Sequence, residues 1–193
     1  MQRICVFCGS SSGFSPRYVD AARRLGEDLA RAKITLVFGG GGGGLMGTMA
    51  DSVLGAGGKV IGVIPEQLVA RELGHQRLTE LRVVGSMHER KALMAELSDA
   101  FIALPGGAGT LEEFCEIWTW AQLRIHTKPC GVLNVDGYYD TFLAFLDETV
   151  EKGFLRAEYR ALILVEHKAE VLLERLRTYR TPDLPDLAGR LGT

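Results

Sequence analysis

Ala100-Phe101-Ile102-Ala103-Leu104-Pro105-Gly106-Gly107-Ala108-Gly109-Thr110-Leu111-Glu112-Glu113 is the stretch whose reading decides the fold. Its first five residues form an apolar run of strand length with no alternation, as expected of a strand buried on both faces. A Gly-rich turn follows. Phe114 to Leu123 then repeats its apolar residues at helical spacing. A glycine turn between strand and helix leaves backbone N–H groups free at the helix start, where they and the helix dipole favour an anion, usually a phosphate. On this reading the helix covers Leu111–Leu123. Thr110 either caps it or offers its hydroxyl to the anion, and Glu113 falls in the first turn.

Outward from this unit the pattern repeats. Strand-like runs cover Arg3–Cys8, Ile34–Phe38, Lys59–Ile64, Leu81–Val84, Ala100–Leu104, Cys130–Asn134 and Ala161–Val165. Helix-period stretches lie between them: Pro16–Ala32, Leu45–Leu54, His88–Leu97, Leu111–Leu123, Tyr138–Lys152 and Lys168–Arg177. Ser15 before Pro16 is an N-cap followed by proline at the first helical position. The alternation predicts an α/β fold, a Rossmann-like doubly wound parallel sheet with helices on both faces and right-handed crossovers. Ligands of such sheets bind beyond the carboxyl ends of the strands. Residues 1–180 read as a single nucleotide-binding domain, and 181–193 as a tail that is frayed or packed on a partner. Pro65–Thr79 reads as a loop beside the site.

The 193 residues are ample for a core without metal or disulfide. A net charge of −2 gathers no nucleic acid, and no apolar run is long enough for a membrane span. The N-terminal residues show no leader pattern, which predicts a cytoplasmic protein. Cys5 and Cys8 make a C-x-x-C. On a strand they point to opposite faces, so they read as buried thiols, with no metal site.

Two more strand exits are rich in glycine and serine. Cys8-Gly9-Ser10-Ser11-Ser12-Gly13 is one; the other is the run Gly39 to Gly44, leading into Leu45-Met46-Gly47. Gly9, Ser10, Gly42, Gly43 and Gly44 are candidate ligand-loop residues. Gly42, Gly44 and Gly47 match G-x-G-x-x-G, and Glu66 lies about twenty residues on, where a dinucleotide enzyme has its ribose-binding acid. An NAD-dependent oxidoreductase is therefore an alternative. It is disfavoured because glycine runs match many patterns and because the chain has no room for a substrate domain. No loop carries the lysine of a P-loop.

Ser86-Met87-His88-Glu89-Arg90-Lys91 opens another helix. Two cations in a first turn oppose the helix dipole, and an acidic partner or ligand relieves that. Glu113 and Glu116 are the nearest candidates as partners. His88 reads as structural rather than as a base. Glu112 and Glu116 share a helix face, while Glu113 points elsewhere. Trp118 and Trp120 read as core or dimer contacts.

Pro105-Gly106-Gly107-x-Gly109-Thr110-x-x-Glu113, with Arg90-Lys91 upstream, resembles the LONELY GUY (LOG) family of cytokinin riboside 5′-monophosphate phosphoribohydrolases, often labelled lysine decarboxylases. The resemblance extends to Gly44-Leu45-Met46-Gly47, Ser98-Asp99-Ala100-Phe101, Thr119-Trp120-Ala121-Gln122-Leu123 and Leu133-Asn134-Val135-Asp136-Gly137-Tyr138-Tyr139. The chain departs from the family at Ala108, often a tyrosine, and in its all-glycine second loop. The resemblance implies a Rossmann-like homodimer without cofactor that cleaves the N-glycosidic bond of AMP or an N6-substituted AMP. Arg90 and Glu113 are then the catalytic positions. Glu72, Arg90, Lys91, Gly106, Gly107, Ala108, Gly109, Thr110, Leu111, Glu112 and Thr119 are the substrate-binding positions. Glu113 would stabilise an oxocarbenium-like sugar, and Arg90 either polarises the leaving purine or keeps Glu113 ionised by lowering its pKa. A non-catalytic carrier of a phosphorylated cofactor such as molybdenum cofactor is the alternative of another class. The dimer is expected to use the helix Leu111–Leu123, whose Phe114, Ile117, Trp118, Ala121 and Leu123 look too apolar for one sheet face.

Overall fold

The computed structural model describes residues 1–69 and 74–184. The strands are β1 (Arg3–Phe7), β2 (Thr35–Phe38), β3 (Val60–Pro65), β4 (Glu80–Val84), β5 (Ala100–Ala103), β6 (Cys130–Leu133) and β7 (Ile163–Glu166). They form one 7-stranded parallel sheet in the order β4-β3-β2-β1-β5-β6-β7. The helices are α1 (Pro16–Arg31), α2 (Gly44–Gly55), α3 (Glu66–Val69), α4 (Met87–Leu97), α5 (Ala108–Gln122), α6 (Asp140–Glu151), α7 (Ala157–Arg160) and α8 (Ala169–Thr178), with a 3₁₀ turn at Val135–Gly137. All seven strands expected from the sequence are present.

The side-chain period of β1 sorts the core into two layers. Ile4, Val6 and Cys8 pack with α1, α2 and α8, whereas Cys5 and Phe7 pack with α4, α5 and α6. The two thiols of the C-x-x-C thus lie in separate layers, and burial raises the pKa of both. Ser15 caps α1, its hydroxyl accepting the Arg17 amide at 3.3 Å, and Ala22, Leu25 and Leu29 form its buried stripe.

Connectivity reverses at β1, which pairs with β2 on one side and β5 on the other. The first helices pack on one layer, and the chain then crosses to fill the other. This switch leaves a crevice above the carboxyl ends of β1 and β5.

Four expectations change. The α5 helix starts at Ala108 with Gly107 as its cap and no side-chain cap bond, so Thr110 lies within the first turn and does not cap. Glu113 accordingly moves into the second turn. Pro65 closes β3, and Glu66–Val69 forms a turn of helix where a loop was expected. The described part of the tail folds back on its own chain. Thr181 Oγ donates to Thr127 O at 3.2 Å, and Leu184 lies against the α5 layer.

Candidate active site

The strand exits after β1, β2, β3 and β5 enclose a cleft of about 530 Å³. Gly9 and Ser10 come from the first exit, Gly39, Gly41 and Gly43 from the second, and Gly107, Ala108, Gly109 and Thr110 from the start of α5. Arg90 of α4 and Glu113 of α5 complete the polar wall. Val6, Phe7, Met46, Ile64 and Leu68 supply an apolar wall.

Of α2 and α5, which begin at the glycine loops of this cleft, only α5 keeps its N-terminal amides open. At α2 the Gly9 carbonyl accepts the Leu45 amide at 3.1 Å and the Met46 amide at 3.4 Å. At α5 the Ala108, Gly109 and Thr110 amides meet no acceptor among the described residues. An anion is therefore favoured at α5. Gly44 makes the α2 closure possible. Its φ is +58°, and a Cβ there would lie 2.3 Å from Ser10 C.

Arg90 and Glu113 meet across the cleft wall, with Arg90 Nη2 donating to Glu113 Oε1. Both side chains are nearly enclosed, at 12% and 11% exposure. Arg90 Nε is buried with no partner among the described residues. Burial pushes the Glu113 carboxyl above the ordinary glutamate range, and the Arg90 guanidinium offsets only part of that rise. Arg90 does lower the Glu113 pKa as expected, but desolvation is the larger effect and the net shift is upward.

Lys91 faces the other way. Its ammonium donates to Glu112 Oε1 at 2.5 Å and lies 3.1 Å from Glu116 Oε2. Those hydrogen bonds raise its pKa. The pairing expected from the helix dipole is thus met by Glu112 and Glu116 for Lys91 and by Glu113 for Arg90. Lys91, Leu111 and Glu112 do not line the cleft.

Other sequence candidates fall at varied places. Gly106 lines a neighbouring cavity, where Tyr138 Oη donates to its carbonyl at 2.7 Å. Gly42 faces His75, and Gly44 backs onto Ser10. Thr119 is exposed on α5 outside the cleft, its hydroxyl donating to Cys115 O at 2.7 Å. His88 is exposed at the start of α4, and Glu66 at the start of α3. Glu72 lies outside the described residues. The sequence reading missed the apolar wall and His75, whose amide donates to Gly40 O at 2.8 Å and whose Nε2 lies 3.3 Å from Asp51 Oδ1. Ile64 was findable, since it lies at the carboxyl end of a strand; His75 carried no local signal.

Residues 46–176 match the family model described as possible lysine decarboxylase. A probable cytokinin riboside 5′-monophosphate phosphoribohydrolase of Oryza sativa subsp. japonica is 55% identical over 94% of this chain and 74% of its own. A cytokinin riboside 5′-monophosphate phosphoribohydrolase of Arabidopsis thaliana is 49% identical over 98% of this chain and 87% of its own. The chain belongs to the LOG family.

Solved structures similar to this LOG-family chain include a molybdenum cofactor binding protein from Rippkaea orientalis. Its TM-score is 0.71 at 21% identity, over 92% of this chain and 97% of that one. The molybdenum cofactor carrier protein of Chlamydomonas reinhardtii has a TM-score of 0.68 at 20% identity, over 92% and 99% of the two chains. At that identity the likeness is one of fold. No helix among the described residues is long and apolar enough to cross a membrane.

Proposed function

We propose that this cleft hydrolyses the N-glycosidic bond of adenosine 5′-monophosphate and its N6-substituted forms, releasing free adenine or cytokinin base and ribose 5-phosphate. One observation carries the reading: a carboxylate held by an arginine stands in the same wall as an open helix N-terminus. Gly109 and Glu113 are four residues apart on α5, about 6 Å along its axis. That separation matches the reach from a 5′-phosphate to the far side of its ribose. The names of relatives at about half identity support the same chemistry.

In this mechanism the 5′-phosphate sits on the Ala108, Gly109 and Thr110 amides and holds the ribose in place. The base lies against Met46, Ile64 and Leu68. The C1′–N bond breaks with its electron pair leaving on the base, and positive charge develops at the sugar. The Glu113 carboxylate stabilises that charge and orients a water, whose oxygen bonds to C1′. The displaced proton goes to the leaving base. Arg90 fixes the Glu113 carboxylate and polarises the purine. Lys91 and Glu112 act through the α4–α5 junction. A carrier of a phosphorylated cofactor has no use for a carboxylate beside its anion, which disfavours that alternative.

We propose further that the enzyme is a homodimer. Phe114, Ile117, Trp118 and Ala121 are buried within the single chain and offer no surface to a partner. Glu112, Glu116, Thr119 and Leu123 form the outer stripe of α5 instead. Leu81 and Val83 of the edge strand β4 are also exposed, a surface that favours association. A second copy on the α5 stripe gives Thr119 a cleft to reach.

Incubation with AMP and chromatography of the products tests the function. Adenine and ribose 5-phosphate in equal amounts are expected. Adenosine with inorganic phosphate, or no product, would contradict it.

A further inference from the structure

The loop that opens α5 is held by side chains that stand outside the reaction. The chain leaving β6 ends in Tyr138-Tyr139, just before α6. Tyr139 Oη donates to Leu104 O at 2.6 Å, and Tyr138 Oη donates to Gly106 O at 2.7 Å. Between these acceptors, Pro105 O accepts the Gly9 amide at 3.0 Å. Three successive carbonyls of the Gly-rich loop are therefore each engaged, two of them by neighbouring tyrosines.

The tyrosines are themselves anchored. The Tyr139 amide donates to Asn134 Oδ1 at 2.8 Å, and Asn134 Nδ2 donates to Asp140 Oδ1 at 2.6 Å. The Asn134 amide donates to Glu166 O at 2.8 Å, which ties the group to the end of β7. The Tyr138 ring meets Tyr18 of α1 edge-on at 5.6 Å and Tyr139 edge-on at 5.0 Å. Gly106-Gly107 has no side chain with which to fix its own backbone, and glycine loses the most conformational freedom on ordering. A bond to the Gly106 carbonyl sets the peptide plane leading to Gly107, the cap of α5.

We propose that Tyr138 and Tyr139 are positioning residues that pre-align the α5 amides for the 5′-phosphate. The inference rests on reading the α5 start as the phosphate site. Tyr138 is 42% exposed, so Tyr138→Phe removes a hydroxyl at little risk to the core. Tyr139→Phe makes the same change inside the core.

The test measures inorganic phosphate and ribose 5-phosphate binding by calorimetry, melting temperature, and the kcat and KM for AMP. In Tyr138→Phe both dissociation constants should rise about fivefold, the effect of one neutral hydrogen bond. KM should rise by a similar factor while kcat stays within about twofold. Tyr139→Phe should move affinity in the same direction. Wild-type affinity in a folded Tyr138→Phe protein overturns the inference, as does a fall in melting temperature with binding unchanged. If AMP is cleaved and the variant binds phosphate normally, the positioning role fails alone. If the variant loses phosphate affinity and the wild type leaves AMP intact, the positioning role stands and the hydrolase reading fails.

Discussion

In the proposed mechanism Glu113 must be negatively charged to stabilise a sugar cation, yet its surroundings resist that charge. Desolvation raises its pKa above the ordinary 4.5, and Arg90 recovers only part of the loss. The sign for activity follows from the ionised form being the working one. As pH falls through the raised pKa, Glu113 takes a proton and turnover is lost. The acid limb of kcat/KM for AMP should therefore have its midpoint above 4.5. A rate–pH profile flat down to the ordinary glutamate range would contradict this. Arg90 and Lys91 are adjacent in sequence but should separate in effect. Arg90→Met removes the only described partner of the Glu113 carboxylate, and kcat should fall by about 100-fold or more. Lys91→Met leaves the cleft wall intact and releases Glu112 and Glu116. It should lower the melting temperature with a smaller effect on kcat, as thermal unfolding and steady-state kinetics of both variants would show.

At the scale of the element, the start of α5 concentrates the site. Gly106 and Gly107 look equivalent in sequence and differ in space. A Cβ at Gly106 would lie 2.1 Å from Thr110 Oγ and 2.8 Å from the Gly9 amide nitrogen, whereas one at Gly107 meets nothing within 4 Å. Gly106→Ala should lower the melting temperature by several degrees. Gly107→Ala should keep stability near wild type and weaken phosphate binding, because its methyl stands where the ligand approaches. Equal thermal shifts in the two variants would refute this distinction. The strand–glycine–helix unit was legible in sequence because an unbroken apolar run gave way to a turn and then to helical spacing. The true helix start was not. Gly109 and Thr110 have poor helix propensity and read as loop, and the turn before them is fixed by tertiary bonds that Tyr139, Gly9 and Tyr138 donate to the Leu104, Pro105 and Gly106 carbonyls. The short helices α3 and α7 were missed for a related reason: four residues are too few to show a period.

At the scale of the whole molecule, the parallel sheet was readable because β1, β2, β3, β5 and β6 are buried on both faces and bounded by glycine or helical pattern. Which residues meet in the cleft was less readable. The Arg90–Glu113 pair spans 23 positions, and the apolar wall is assembled from β1, α2, β3 and α3. Four of the five apolar residues counted toward an interface, Phe114, Ile117, Trp118 and Ala121, are covered by the chain's own core layer, and only Leu123 stays exposed. Trp118 donates its indole N–H to Tyr159 O at 2.9 Å inside the chain. Trp118→Glu should therefore destabilise the fold by about 4 kcal/mol or more through a buried unpaired charge. Denaturant unfolding measures that loss, and an intact monomer released by this change would contradict it. Light scattering of the wild type should give twice the 21.1 kDa of one chain, and the single-chain mass would rule out the dimer. The most direct test of the central claim is base release from AMP by Glu113→Gln, measured beside calorimetric AMP binding. The account predicts a fall in kcat of about 100-fold or more with AMP affinity within about threefold of wild type. Near-wild-type turnover in a variant that binds AMP normally would contradict it.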